Sequence, residues 1–167
     1  MAERQFMLRL KANCEPADVA EQLVGIKEKT GRNDGTPSEM FMDGDELPWC
    51  AGFVLYCFKS STFGAIKGNR WKLRSVRNLF KTMSKSGNIV GRNVNPLRND
   101  VVFFNKRGNS DAGTGWRCGI VVAVSDGIIY TIEGNLSNMV KVSMHHTTDA
   151  PILGYGRMSS KIQALKA

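Results

Sequence analysis

Histidine is scarce in this chain and poorly arranged for a metal. Only His145 and His146 occur, and on a strand two adjacent side chains face opposite ways, which argues against both binding one ion. The four cysteines, Cys14, Cys50, Cys57 and Cys118, contain no Cys-x-x-Cys pair, which excludes the common zinc and thioredoxin-like spacings. No apolar run approaches the roughly 18 residues of a membrane helix, so no membrane insertion is expected. The apolar stretch within MAERQFMLRLKANCEPAD is too brief for a secretory signal core, and no signal peptide is expected. Acidic residues are missing altogether from Ser60 to Asn99. That stretch holds nine basic residues, whereas the whole chain carries a formal charge of +8. Such an excess points to an anionic surface or, in the plainer reading, to a solvated basic face.

What is present fits one soluble domain. The chain has 167 residues, 42% hydrophobic and 23% charged, enough to bury a core without disulfides, so free thiols are expected. Val19, Leu23 and Ile26 recur at helical spacing from Pro16 to Ile26, and a Gly-, Asn- and Pro-rich loop follows. Pro48 opens the apolar run PWCAGFVLYCF, a good residue for a first helical turn, and so places Cys50 near a helix N-terminus. Trp71 to Lys85 reads as one helix with a core stripe of Leu73, Val76, Phe80 and Met83. Its basic stripe of Arg70, Arg74, Arg77, Lys81 and Lys85 is a candidate for binding an anionic surface. Beyond it, DVVFF, GIVVAV, GIIYTIEG, NMVKVSM and PILGYGR are short strands separated by turn signals. Helices first and an antiparallel sheet second make an α+β pattern.

A cysteine in the first turn of a helix meets unpaired backbone N–H groups and the positive end of the helix dipole, which favours the thiolate. The segment GRNDGTPSEMFM…LPWCAGFVLYC resembles the nucleophile region of CHAP domains, the cysteine, histidine-dependent amidohydrolase/peptidases. NDVVFF, RCGIVVAVSDGIIYTIEGN and LGYGR are similar to the later strands of that family, in order, from about Pro16 to Arg157. The resemblance implies a papain-like CHAP fold, with N-terminal helices packed on an antiparallel sheet of about five or six strands. A single domain over residues 1–167 is expected, its core spanning about 16–157 and its basic segment 60–99.

The resemblance assigns Cys50 as nucleophile, Glu133 as the acid that orients a histidine, and Asn135 as a supporting polar residue. The histidine position falls on Arg117. Arginine stays protonated below about pH 12, so it can stabilise a thiolate but cannot shuttle protons, and slow or absent hydrolysis is expected. Counting strand rise at about 3.3 Å per residue puts His145 roughly 20 Å from Glu133, too far for rescue by it or by His146. Cys118 should point to the opposite side of its strand from Arg117, into the core. Trp49 and Trp116 are candidate walls of a substrate cleft, with packing in the core as the alternative. Asp43 and Asp45 resemble an acidic loop with which some CHAP domains hold calcium, but further ligands are lacking and no metal or other cofactor is expected.

The expected function is cleavage of peptidoglycan by a cysteine amidase or endopeptidase of phage lysin or tail-associated type, impaired by Arg117. A degenerate CHAP fold serving as a wall-binding or structural module is the alternative. Expected partners are peptidoglycan, anionic wall polymers or lipopolysaccharide, and phage tail proteins. The chain would be made in the cytoplasm and act at the cell wall. Too few aromatics accompany the basic segment for a nucleic-acid surface.

Overall fold

The first well-capped helix begins where the sequence has both proline and acid. Glu15 and Asp18 form a reciprocal capping box, each side chain meeting the other's end of the first turn, and Pro16 occupies a first-turn site where no N–H is needed. The computed structural model describes residues 14–105 and 115–159, so the two ends of the expected 1–167 domain lie outside the described residues. Among the described residues five helices come first: α1 (Pro16–Leu23), α2 (Thr36–Phe41), α3 (Cys50–Lys59), α4 (Arg70–Leu73) and α5 (Val76–Lys85). Six strands follow: β1 (Ile89–Gly91), β2 (Val101–Asn105), β3 (Trp116–Ser125), β4 (Ile128–Leu136), β5 (Met139–His146) and β6 (Ile152–Gly156). They form one antiparallel sheet in the order β1-β6-β2-β3-β4-β5, and the α+β architecture is as expected. No helix among the described residues is long and apolar enough to cross a membrane.

The helix expected over Trp71–Lys85 is two helices. Ser75 interrupts it: its side chain accepts from the Asn78 N–H and caps α5, while Asn69 caps α4 by accepting from Lys72 N–H. The break also removes Arg74 from the proposed basic stripe. Arg74 is only 7% exposed, donating to the Met42 carbonyl at 2.6 Å and to Asp45 at 2.9 Å.

The sheet has two apolar faces. Trp116, Cys118 and Ile120 of β3 pack with the helices, where Phe53, Val54, Cys57 and Phe58 supply the buried face of α3. Alternation turns Arg117, Gly119 and Val121 to the far side. There Val102, Phe104, Val121, Ile129, Ile152 and Tyr155 form a second cluster. The division into faces decides what each candidate residue can reach.

Candidate functional site

Cys50 is the first residue of α3, and its sulfur sits where the helix meets the edge of β3. The Cys118 thiol donates a hydrogen bond to it, with further help from the N–H groups of Ala51 and Cys50. Together these hold the Cys50 thiol below its ordinary range, although burial opposes the shift. Cys118 moves the other way. Burial raises its thiol well above the usual range, and the neighbouring Cys50 and the charge of Glu133 add to the rise. The pair therefore has one sulfur prepared to be a thiolate and one prepared to remain a thiol.

Two clefts meet at Cys50. The larger, about 460 Å³, runs past Leu47, Pro48, Trp71, Arg74, Asn78 and Trp116. The smaller, about 220 Å³, is lined by Pro48, Trp116, Arg117, Cys118, Glu133 and the Gly134–Leu136 turn. Trp116 walls both clefts, packing on Phe80 with ring centroids 5.6 Å apart, and its indole N–H is buried without a hydrogen-bond partner. Trp71 is 68% exposed on the rim of the larger cleft, with the Arg74 guanidinium 4.0 Å above its ring. Trp49 does not reach either cleft. It is fully buried, stacked on Phe41 at 5.5 Å, and its indole N–H donates to Glu28 at 2.8 Å. The expected role in substrate contact is thus corrected to a core one.

Arg117 borders the smaller cleft with Cys50, but its guanidinium turns toward the far face. Its guanidinium lies 5.6 Å from the centroid of Phe104, a residue of the far-face cluster, so Cys118 fills the place facing the nucleophile. Cys118 points away from Arg117 into the helix-side core, as expected, and there also borders the smaller cleft. Glu133 also lies across the far face: a Cβ on Gly119 would come within 2.5 Å of its Cγ, so only glycine lets the side chain cross β3 there. Its carboxylate accepts from Thr131 Oγ1 at 2.7 Å and from His145 Nε2 at 2.8 Å. The separation of roughly 20 Å expected for His145 is therefore wrong. Glu133 pairs with Lys141, so His145 stands four residues further along β5, about 13 Å of strand. Two long side chains leaning toward each other close that distance.

The acid thus borders the smaller cleft while holding an imidazole that packs on the far-face cluster. His145 stacks against Phe104 at 4.6 Å, while His146 is exposed. Asn135, at a positive φ of 59°, lines the smaller cleft and donates to Asn33 at 3.3 Å. Asp43 and Asp45 are engaged by Arg70 and Arg74, both at 2.9 Å. No group of three or more His, Cys, Asp or Glu among the described residues is placed to hold a metal ion. The arrangement can supply a thiolate and bind a peptide, but it brings no imidazole to the sulfur. Cys118 is the site residue that motif counting passed over.

A family model described as CHAP domain matches residues 42–135, more than half of the chain, including Cys50, Cys118, Glu133 and Asn135. No curated protein and no solved structure matches the chain.

Proposed function

The chain belongs to the CHAP family, whose members are peptidoglycan amidase- or peptidase-type hydrolases, and from that premise we propose that its cleft takes peptidoglycan peptides while amide hydrolysis is impaired. The observation that carries this reading is the partner of Cys50: a thiol with a raised pKa, where cleavage needs a group that titrates near neutrality. Attack of the Cys50 thiolate on a peptide carbonyl gives a tetrahedral intermediate with two possible leaving groups. Without a proton on the amide nitrogen, the thiolate is much the better one, so the intermediate reverts and the peptide stays whole. Among the described residues, neither an acid that would protonate the amine nor a base that would activate the deacylating water stands at the Cys50 sulfur. Their loss is worth about 10²–10⁴ in rate.

The role left to such a cleft is recognition of wall peptides. The setting we propose is a phage lysin or tail-associated particle, in which the chain's charge of +8 favours anionic wall polymers or lipopolysaccharide. Release of soluble fragments from purified peptidoglycan, and retention of protein on the insoluble material, test this for the parent and for Cys118→His, Arg117→His and Cys50→Ala. The parent should bind and release little. Cys118→His should raise release by about 10²-fold, whereas Arg117→His, at a side chain turned toward Phe104, should leave it unchanged. Efficient Cys50-dependent release by the parent, or gain in Arg117→His alone, overturns the impaired-site reading. Absence of binding by every variant overturns the substrate.

A further inference from the structure

The unusual feature of the site is chemical: the nucleophile's neighbour is a second thiol. The sequence places the two cysteines 68 positions apart, and the fold brings them together where α3 abuts β3. Their environments differ. Cys50 is partly exposed and lines both clefts, so a small solute reaches it directly. Cys118 is 1% exposed and borders the smaller cleft but not the larger. Both side chains line the smaller cleft, and Cys118 is the side-chain neighbour that acts most strongly on the Cys50 thiol.

We propose that Cys50 and Cys118 form a peroxide-sensitive pair, in which Cys50 is the sulfur that is oxidised and Cys118 resolves it to an intramolecular disulfide. The Cys50 thiolate attacks one oxygen of a hydroperoxide, the O–O bond breaks, and hydroxide or alkoxide leaves, giving a sulfenic acid on Cys50. The Cys118 sulfur then attacks the Cys50 sulfur. Its proton joins the departing hydroxyl as water, and the S–S bond forms. The two thiols are oxidised by two electrons, and the peroxide oxygen–oxygen bond is reduced. A dithiol reductant reverses the change by exchange at the disulfide.

This activity is independent of what the cleft binds. The disulfide ties the start of α3 to β3 and removes the Cys50 thiolate, so oxidation closes the site to any acyl or peptide chemistry. The other two cysteines are differently placed. Cys57 is fully buried in the core, its thiol raised by burial, and Cys14 lies beside Gln22 at the start of α1. Neither shares a cleft with Cys50.

The experiment uses the full-length reduced protein, treated with hydrogen peroxide, quenched with N-ethylmaleimide and digested without reduction for mass spectrometry. The expected product is a linked peptide pair joining Cys50 to Cys118, lighter by two hydrogens, with Cys14 still alkylated, and dithiothreitol should separate the pair. In Cys118→Ser, dimedone should trap a sulfenic acid on Cys50 in place of the link. In Cys50→Ser, oxidation of Cys118 should slow at least tenfold. Direct passage of Cys50 to sulfinic acid in the parent, a link through Cys14 in place of Cys118, or an unchanged rate in Cys50→Ser overturns the proposal. The parent's own link is read without any variant, so misfolding of a substituted chain does not obscure the answer.

Discussion

Replacing His145 with alanine separates a structural imidazole from a catalytic one. In the folded chain, His145 Nε2 donates to Glu133 at 2.8 Å, and the carboxylate is 2% exposed. Removing the ring leaves Thr131 Oγ1 as the one side-chain donor to that buried oxygen among the described residues. A hydrogen bond to a charged group contributes about 1.5–3 kcal/mol. Lost stacking on Phe104, 4.6 Å away, adds about 0.5–1.5 kcal/mol. The expected destabilisation is therefore about 2–4 kcal/mol, or a fall in Tm of about 10 °C for a chain of this size. Urea denaturation followed by tryptophan fluorescence measures it. Alkylation of Cys50 by iodoacetamide, read at a temperature where both proteins are folded, should be unchanged, because the ring lies behind the sheet. A stability loss under about 0.5 kcal/mol refutes the brace. A tenfold slower alkylation at unchanged stability would make His145 the missing base and refute the assignment of faces.

Two other substitutions test what positions the site. A Cβ on Gly134 would fall 2.6 Å from Phe53 Cβ, and Phe53 is fully buried on α3. Gly134→Ala should cost about 1–3 kcal/mol in urea denaturation by forcing α3 off the sheet, and no loss would mean that the helix slides freely. Asp100, 2% exposed, accepts from Arg157 through two guanidinium nitrogens at 2.8 and 3.0 Å and from the Leu97 N–H at 2.8 Å. Asp100→Asn should cost about 3 kcal/mol by leaving that guanidinium without its counter-charge, at the low end for a buried pair because Arg157 is partly exposed. A loss under about 1 kcal/mol would show that solvent replaces the carboxylate.

The motifs that carry local geometry were readable in the sequence. Pro48 ahead of Cys50 marked a helix start, and the alternation of YTIEGN marked a strand leading into a turn, so the fold class and the nucleophile's seat followed from residues close in the chain. What failed needed the third dimension. Trp49 looks like a cleft residue until Phe41 and Glu28, both distant in the chain, close over it. Ser75 reads as one more exposed position on a continuous helix, although its hydroxyl is a helix cap that starts α5 afresh.

What the sequence leaves open on β3 is a matter of parity. On β3, Arg117 and Cys118 are neighbours, and a shift of one residue exchanges every side chain between the helix face and the far face. Usually the hydrophobic pattern settles such a choice, but GIVVAV is apolar at every position because both faces of this sheet carry a cluster. Counting residues back from Gly119 therefore points to Arg117, a cation that would only stabilise the thiolate. The face points to Cys118, a thiol that donates a hydrogen bond to Cys50 and brings redox chemistry with it. Both readings take the nucleophile's base away, so both anticipate weak hydrolysis. They differ in what replaces it, and Cys118→His compared with Arg117→His distinguishes them, because restored turnover requires an imidazole on the side of the sheet where the sulfur is.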